Sequence, residues 1–196
     1  MEDKKLTEKE SLELITQMIQ NTRENVTKNS GIPFLIFGYL TVINALIIWY
    51  LVTTTGNHNW QFLWFTILSV GYPMNYLLSK KERKHVTTYI GRIIGRVWLV
   101  FGIGVVAVSI MAFIVNIPIL FLVLLLMSMA VTLTGFIVRF KSAIAFGFFG
   151  LLASFAFLYV TGTNQILAFA AIFFIMMVIP GHILNYLSKK VVCSKN

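Results

Sequence analysis

Few polar side chains fall inside or beside the long apolar runs of this chain, and those few are where chemistry would have to reside. Asn44 lies near the middle of the first run. Asn75, His182 and Asn185 lie toward the ends of the second and last runs, beside Pro73 and Pro180. Proline frees a backbone carbonyl, and Gly71 and Gly181 let the chain bend. Asn44, Asn75, His182 and Asn185 are therefore the candidate lining of a polar vestibule open to the cytoplasm, with His182 a pH-responsive member. The competing reading is interhelical hydrogen bonding and repair of the proline-freed backbone, a role that Thr132 and Thr134 would share.

Catalytic constellations are hard to assemble. Asp3 is the one aspartate, and Glu2, Glu8, Glu10, Glu13, Glu24 and Glu82 all lie outside the apolar runs. Ion-coupled carriers usually place a carboxylate within the membrane, where its cost is tolerated for function. His58, His85 and His182 are scattered, whereas a metal centre needs clustered ligands. Ser69, Ser109, Ser128 and Ser154 have no base beside them in sequence. The expectation is a non-enzymatic protein with no catalytic, cofactor-binding or metal site.

Basic residues are more numerous, and their placement is informative. The formal charge is +9, from 16 Lys+Arg against 7 Asp+Glu. Lys80, Lys81, Arg83, Lys84, Arg92 and Arg96 gather in one link and are candidates to grip anionic lipid headgroups on the cytoplasmic side. Retention of positive charge for topology explains the same cluster. Nucleic acid is not an expected partner, because the bases are divided among links that flank apolar runs and form no stacking platform.

The elements that must position these residues follow from the apolar runs. A membrane crossing needs about 20 apolar residues at about 1.5 Å each. Runs at 32–52, 60–78, 97–115, 118–138, 143–160 and 166–187 supply six crossings, with turns at 53–59, at Asn116-Ile117-Pro118 and at 161–164. A composition of 58% hydrophobic and 12% charged residues excludes an ordinary soluble domain, a disordered tail and a disulfide scaffold. The bases occupy the amino-terminal segment, the 80–96 link, the Arg139-Phe140-Lys141 link and the 191–196 tail with its flank, and the other three links carry none. Lys and Arg accumulate in cytoplasmic loops, so both termini of a multi-pass protein of the cell inner (cytoplasmic) membrane are expected to be cytoplasmic. Trp49, Trp60 and Trp64 cluster at the charge-free face, as an interfacial aromatic belt would. Thirty mostly polar residues before the first run argue against a cleavable signal peptide. The single cysteine, Cys193, can form no internal disulfide.

Residues 1–30 predict a separate amphipathic helix. Thr7-Glu8-Lys9-Glu10 is a capping box with Leu6 as its staple. Leu12, Ile15, Met18, Ile19, Thr22 and Val26 follow at helical spacing, with charged and amide residues between. This helix could anchor in the interface, dock as a lid on the basic face, or pair with a second copy. The segment carries a charge of −1 and the rest of the chain +10.

Three hairpins resemble one another. Phe37-Gly38, Phe101-Gly102 and Phe146-Gly147 open them, and Asn75-Tyr76-Leu77-Leu78-Ser79-Lys80-Lys81 and Asn185-Tyr186-Leu187-Ser188-Lys189-Lys190 close the outer two. Parallel repeats of this kind build transporters, although aromatic and basic residues end many inward-pointing helices. Gly91-x-x-x-Gly95 would permit close helix approach.

Leu6-Thr7-Glu8-Lys9-Glu10-Ser11-Leu12-Glu13-Leu14-Ile15-Thr16-Gln17-Met18-Ile19 and Ile179-Pro180-Gly181-His182-Ile183-Leu184 resemble an uncharacterised family of small bacterial six-span integral membrane proteins. The resemblance covers the whole chain and implies a cytoplasmic amphipathic helix followed by six spans. It carries no activity with it. The three-hairpin mitochondrial carriers are not a match, because Met74 and Asn75 follow Pro73 where their signature needs an acid.

The expected fold is all-α, a six-transmembrane-helix bundle of three helical hairpins (31–190) behind a cytoplasmic amphipathic helix (1–30). The expected function is regulatory, scaffolding or sensing, exerted through the cytoplasmic helix and the basic face. The alternative is a passive channel or uncoupled transporter for a neutral or apolar solute. Expected partners are membrane lipids, together with a second copy or another membrane protein.

Overall fold

The computed structural model describes residues 7–82, 89–115 and 117–193. Among them the chain is all-helical, without a strand. Four helices, at Gly31–Thr55, Ile90–Ala112, Ile119–Val138 and Asn164–Leu187, are long and apolar enough to cross a membrane. That is the make-up of a membrane protein.

The first helix, α1 (Glu8–Thr55), is longer than the sequence predicts. The amphipathic segment and the first apolar run form one unbroken helix of 48 residues, about 72 Å at 1.5 Å per residue. Thr7 precedes the helix, where the capping box places it. Pro33 lies inside it and removes one backbone donor, yet the ladder resumes on both sides. The helix ends where the turn was expected. Gly56 takes a positive φ of 64°, and its N–H donates to the Val52 carbonyl at 3.0 Å. The Thr54 hydroxyl donates to Tyr50 O at 2.8 Å and that of Thr55 to Leu51 O at 2.6 Å.

Next comes a 3₁₀ helix, His58–Trp64, capped by the Asn57 side chain, which accepts from the Asn59 N–H at 2.9 Å. It leads into α2 (Phe65–Glu82). The run expected as one crossing at 60–78 is thus a tight 3₁₀ entry followed by an 18-residue α-helix. The next helices are α3 (Tyr89–Ile114), α4 (Ile119–Val138) and α5 (Lys141–Phe157), the last apolar but only 17 residues long. The link between α4 and α5 is as short as the sequence indicates. Arg139 adopts the left-handed conformation at φ 55°, and Phe140 N–H returns to Gly135 O at 2.9 Å.

The last apolar run is built from α6 (Asn164–Phe173), a π-helical turn (Phe174–Val178) and α7 (Ile179–Cys193), running on without a break. Pro180 explains the widened turn. It offers no N–H to the Met176 carbonyl, and its ring would crowd that carbonyl in a regular α-helix.

Two antiparallel seams hold the bundle. Along the first, α1 lies against α6 and α7. Gly31 faces Asn185 and Gly181, Gly38 faces Met177 and Val178, and Ala45, Ile48 and Val52 pack with Ile166 and Ala170. Along the second, α4 meets α5: Gly135 faces Ile144, Gly147 faces Thr132, and Gly150 faces Ser128. Gly150 also faces Met176, which joins the two seams. Lipid tails are as apolar as leucine, so helices in a bilayer associate by close packing of small residues rather than by leaving water. Ala143, Gly147, Gly150 and Ser154 form such a stripe on α5, all buried. The Gly91-x-x-x-Gly95 pattern does not act this way at Gly95, where an added Cβ would meet nothing within 4 Å. The tightest packing therefore runs between the expected hairpins, α4 with α5 and α1 with α7. α3 rests chiefly on α4 at the periphery.

Candidate functional site

One end of the bundle collects the described cations. Arg139 and Lys141 are exposed in the link between α4 and α5. Beside them Val138, Phe140, Phe34 and Leu184 close a small cavity of about 10 Å³, at the lower limit for a single water. Phe34 also meets Trp98 edge-on, with ring centroids 5.7 Å apart. That contact brings the start of α3, with exposed Arg92 and Arg96, to the same end. Lys80 and Lys81 lie in the last turn of α2, but their side chains are outside the described set, and Arg83 and Lys84 are outside the described residues altogether. Trp49, Leu63 and Trp64 pack together at the opposite end, against Ala45, Ile48 and Ile166.

The four vestibule residues take different positions. Asn44 is 8% exposed and donates its side-chain N–H to the Leu63 carbonyl at 2.8 Å, tying α1 to the 3₁₀ helix. Gly31 is level with Asn185, so Asn44 stands 13 residues further along α1, roughly 20 Å away. Asn185 is half-buried on α7, and Asn75 is half-buried on α2; each has a polar or ring partner. His182 lies one turn from Asn185 but on the outside of the bundle. There the Tyr39 hydroxyl and His182 Nε2 are 2.7 Å apart, with the rings edge-on at 81°. Tyr39 is 41% exposed. The geometry thus places His182 with Tyr39, a residue that sequence reasoning missed. The two lie 143 positions apart, and no local pattern links them.

The hydroxyls within the apolar helices are turned onto their own backbone. Ser128, Thr132 and Thr134 donate to the carbonyls of Leu124, Ser128 and Ala130 at 2.7 to 2.8 Å. Ser69 and Ser109 do the same one turn back, and Ser154 donates to Leu151 O at 2.7 Å. Ser128 Oγ also touches Met176 Sδ at 3.1 Å. These bonds satisfy hydroxyls that lipid would otherwise leave unpaired. Among the described residues no three His, Cys, Asp or Glu side chains gather to hold a metal ion.

No family model, curated protein or solved structure matches the chain.

Proposed function

We propose that the chain is a multi-pass protein of the cell inner membrane. In this reading six helical crossings form three hairpins, both termini are cytoplasmic, and the protein has a regulatory or scaffolding role exerted through its amino-terminal helix and basic face. Two short elements complete the six crossings. One is α5; the other joins the 3₁₀ turn to α2, about 40 Å of helix at 2.0 and 1.5 Å per residue.

The observation that carries the functional reading is the continuity of α1. A cytoplasmic helix joined to its span by a loop could tilt without consequence inside the membrane. Here the amphipathic segment and the span share one backbone ladder. The span in turn is locked to α6 and α7 through Gly38, Ala45 and Ile48. A partner or a charged lipid surface that reorients residues 8–30 would therefore bear on the core of the bundle.

A spin label on Glu13→Cys and another on Ile43→Cys, each in a Cys193→Ser background, test the linkage. Moving the protein from neutral vesicles to vesicles rich in anionic lipid is expected to change the mobility of both labels. Inserting Gly-Pro after Lys28 is expected to preserve the response at 13 and abolish it at 43. An Ile43 label that responds equally with the insertion, or glycerol flux through the reconstituted protein above that of empty vesicles, would overturn the reading.

A further inference from the structure

The Tyr39–His182 pair has a hydrogen to spare. A phenol and a neutral imidazole bring two donor hydrogens between them, one O–H and one ring N–H. Their mutual bond at 2.7 Å uses one. If Tyr39 donates to Nε2, the ring proton sits on Nδ1 and points away. If Nε2 donates, the Tyr39 O–H is the one left over. Either tautomer leaves one donor without an acceptor among the described residues.

The location of the pair says what the acceptor must be. Both residues are exposed on the outside of the α1–α7 seam. Gly181, the neighbour of His182, faces Phe34 and Leu35, and Phe34 closes the cavity beside Phe140, between the charged residues Arg139 and Lys141. His182 is therefore level with the basic link, where acyl chains give way to headgroups. Tyr186, one turn further toward the basic end, is 68% exposed. Above Tyr39 on α1, Ile43 and Ile47 are exposed and apolar. Aromatic side chains with a polar tip favour this depth.

We infer that Tyr39, His182 and Tyr186 form a seat for one glycerophospholipid on the outer face of the α1–α7 seam. Its phosphodiester accepts the spare hydrogen of the Tyr39–His182 pair, and its acyl chain lies along Ile43 and Ile47. The seat contains no Lys or Arg and needs no net positive charge, so it takes zwitterionic and anionic phospholipids alike. The inference depends on membrane placement and not on the regulatory role, so the spin-label test and the present one can fail independently.

Native mass spectrometry of the full chain in detergent is the test, with phosphatidylglycerol, phosphatidylcholine and diacylglycerol added in turn. Both phospholipids are expected to be retained in preference to diacylglycerol. Replacing both donors, with Tyr39→Phe and His182→Leu together, is expected to weaken that retention roughly tenfold, the worth of one charge-assisted hydrogen bond. Tyr39→Phe or His182→Leu alone still leaves one donor free for the phosphodiester and is expected to weaken it less. Leu99→Ala, at a position 57% exposed on α3, is expected to leave it unchanged. Unaltered retention in the double variant overturns the proposal, as does equal retention of diacylglycerol. Ready disulfide dimerisation of Tyr186→Cys, in vesicles of the Cys193→Ser protein, also overturns it, by showing that a second copy covers the face.

Discussion

Gly147→Ala is expected to be among the most damaging single-carbon changes in the bundle, and Gly147→Leu to prevent stable folding. A Cβ at position 147 would lie 2.8 Å from the Thr132 backbone nitrogen and 2.9 Å from its Cα. Backbone atoms cannot rotate away, so α4 and α5 must separate along their whole seam. Overpacking typically costs 1–3 kcal/mol, and a backbone-limited site belongs at the upper end, about 3 kcal/mol. At roughly 2–4 °C per kcal/mol for a chain of this size, the apparent melting temperature should fall by about 6–12 °C. Two further glycines set the scale. Gly150→Ala meets Met176 Sδ at 2.6 Å and Ser128 Oγ at 2.7 Å, ends of side chains that can yield, so its loss should be smaller. Gly95→Ala meets nothing and should melt as the parent does. If Gly147→Ala melts with Gly95→Ala, the small-residue seam is not what holds α4 to α5.

Phe169→Ala is expected to be the second large loss. Phe169 is 1% exposed, edge-on to Trp64 at 5.3 Å and tilted against Phe173 at 5.2 Å. Truncation removes both ring contacts, each worth about 0.5–1.5 kcal/mol, and leaves a void in the buried cluster that Phe169 shares with Phe173, Met176 and Met177. Aromatic truncations in water-soluble cores cost 3–5 kcal/mol. A bilayer lacks most of the transfer contribution, so about 2–3 kcal/mol is expected here. Trp64 reports the event directly once Trp49, Trp60 and Trp98 are replaced by Phe. Its emission should shift as the indole loses its partner. Leu152→Ala, at a position 71% exposed, should change neither stability nor emission. A Phe169→Ala protein as stable as Leu152→Ala would mean that the aromatic cluster is not packed as described.

The parts of the fold legible in the sequence are those set by local composition. The turn near Gly56, the short link around Arg139-Phe140-Lys141 and the last apolar helix, expected at 166–187 and running Asn164–Leu187, each follow from where apolar runs stop. Pro180 was readable as a residue that frees a carbonyl, and the π turn before it is how the helix absorbs that defect. The change from polar to apolar composition near residue 30 divides the segment from the run in sequence, but it does not divide the helix, which runs on through Pro33. One missing donor within a long ladder is too small a defect to end a helix whose flanks continue on both sides. The α4–α5 seam was harder to see. Gly147 served as the mark of a repeat, while its spacing to Ala143, Gly150 and Ser154 carried the packing information. His182 was legible as a polar residue near an interface. Tyr39 was not, since the pair exists only once α1 and α7 lie side by side.

The continuity of α1 supports the whole functional account, and the distance from Leu12 to Ile43 tests it most directly. Both positions are exposed, at 65% and 55%, and accept spin labels as Leu12→Cys and Ile43→Cys in a Cys193→Ser background. Measured by pulsed electron–electron double resonance in lipid nanodiscs, an unbroken helix should give one narrow distribution centred at ~46 Å, from 31 residues at about 1.5 Å each. A segment hinged at right angles near residue 31, lying along the membrane surface, would give ~34 Å with the same rise. A narrow peak near the longer value is the expected result. A peak near the shorter one, or a broad spread below it, would contradict a rigid link between the amino-terminal helix and the core.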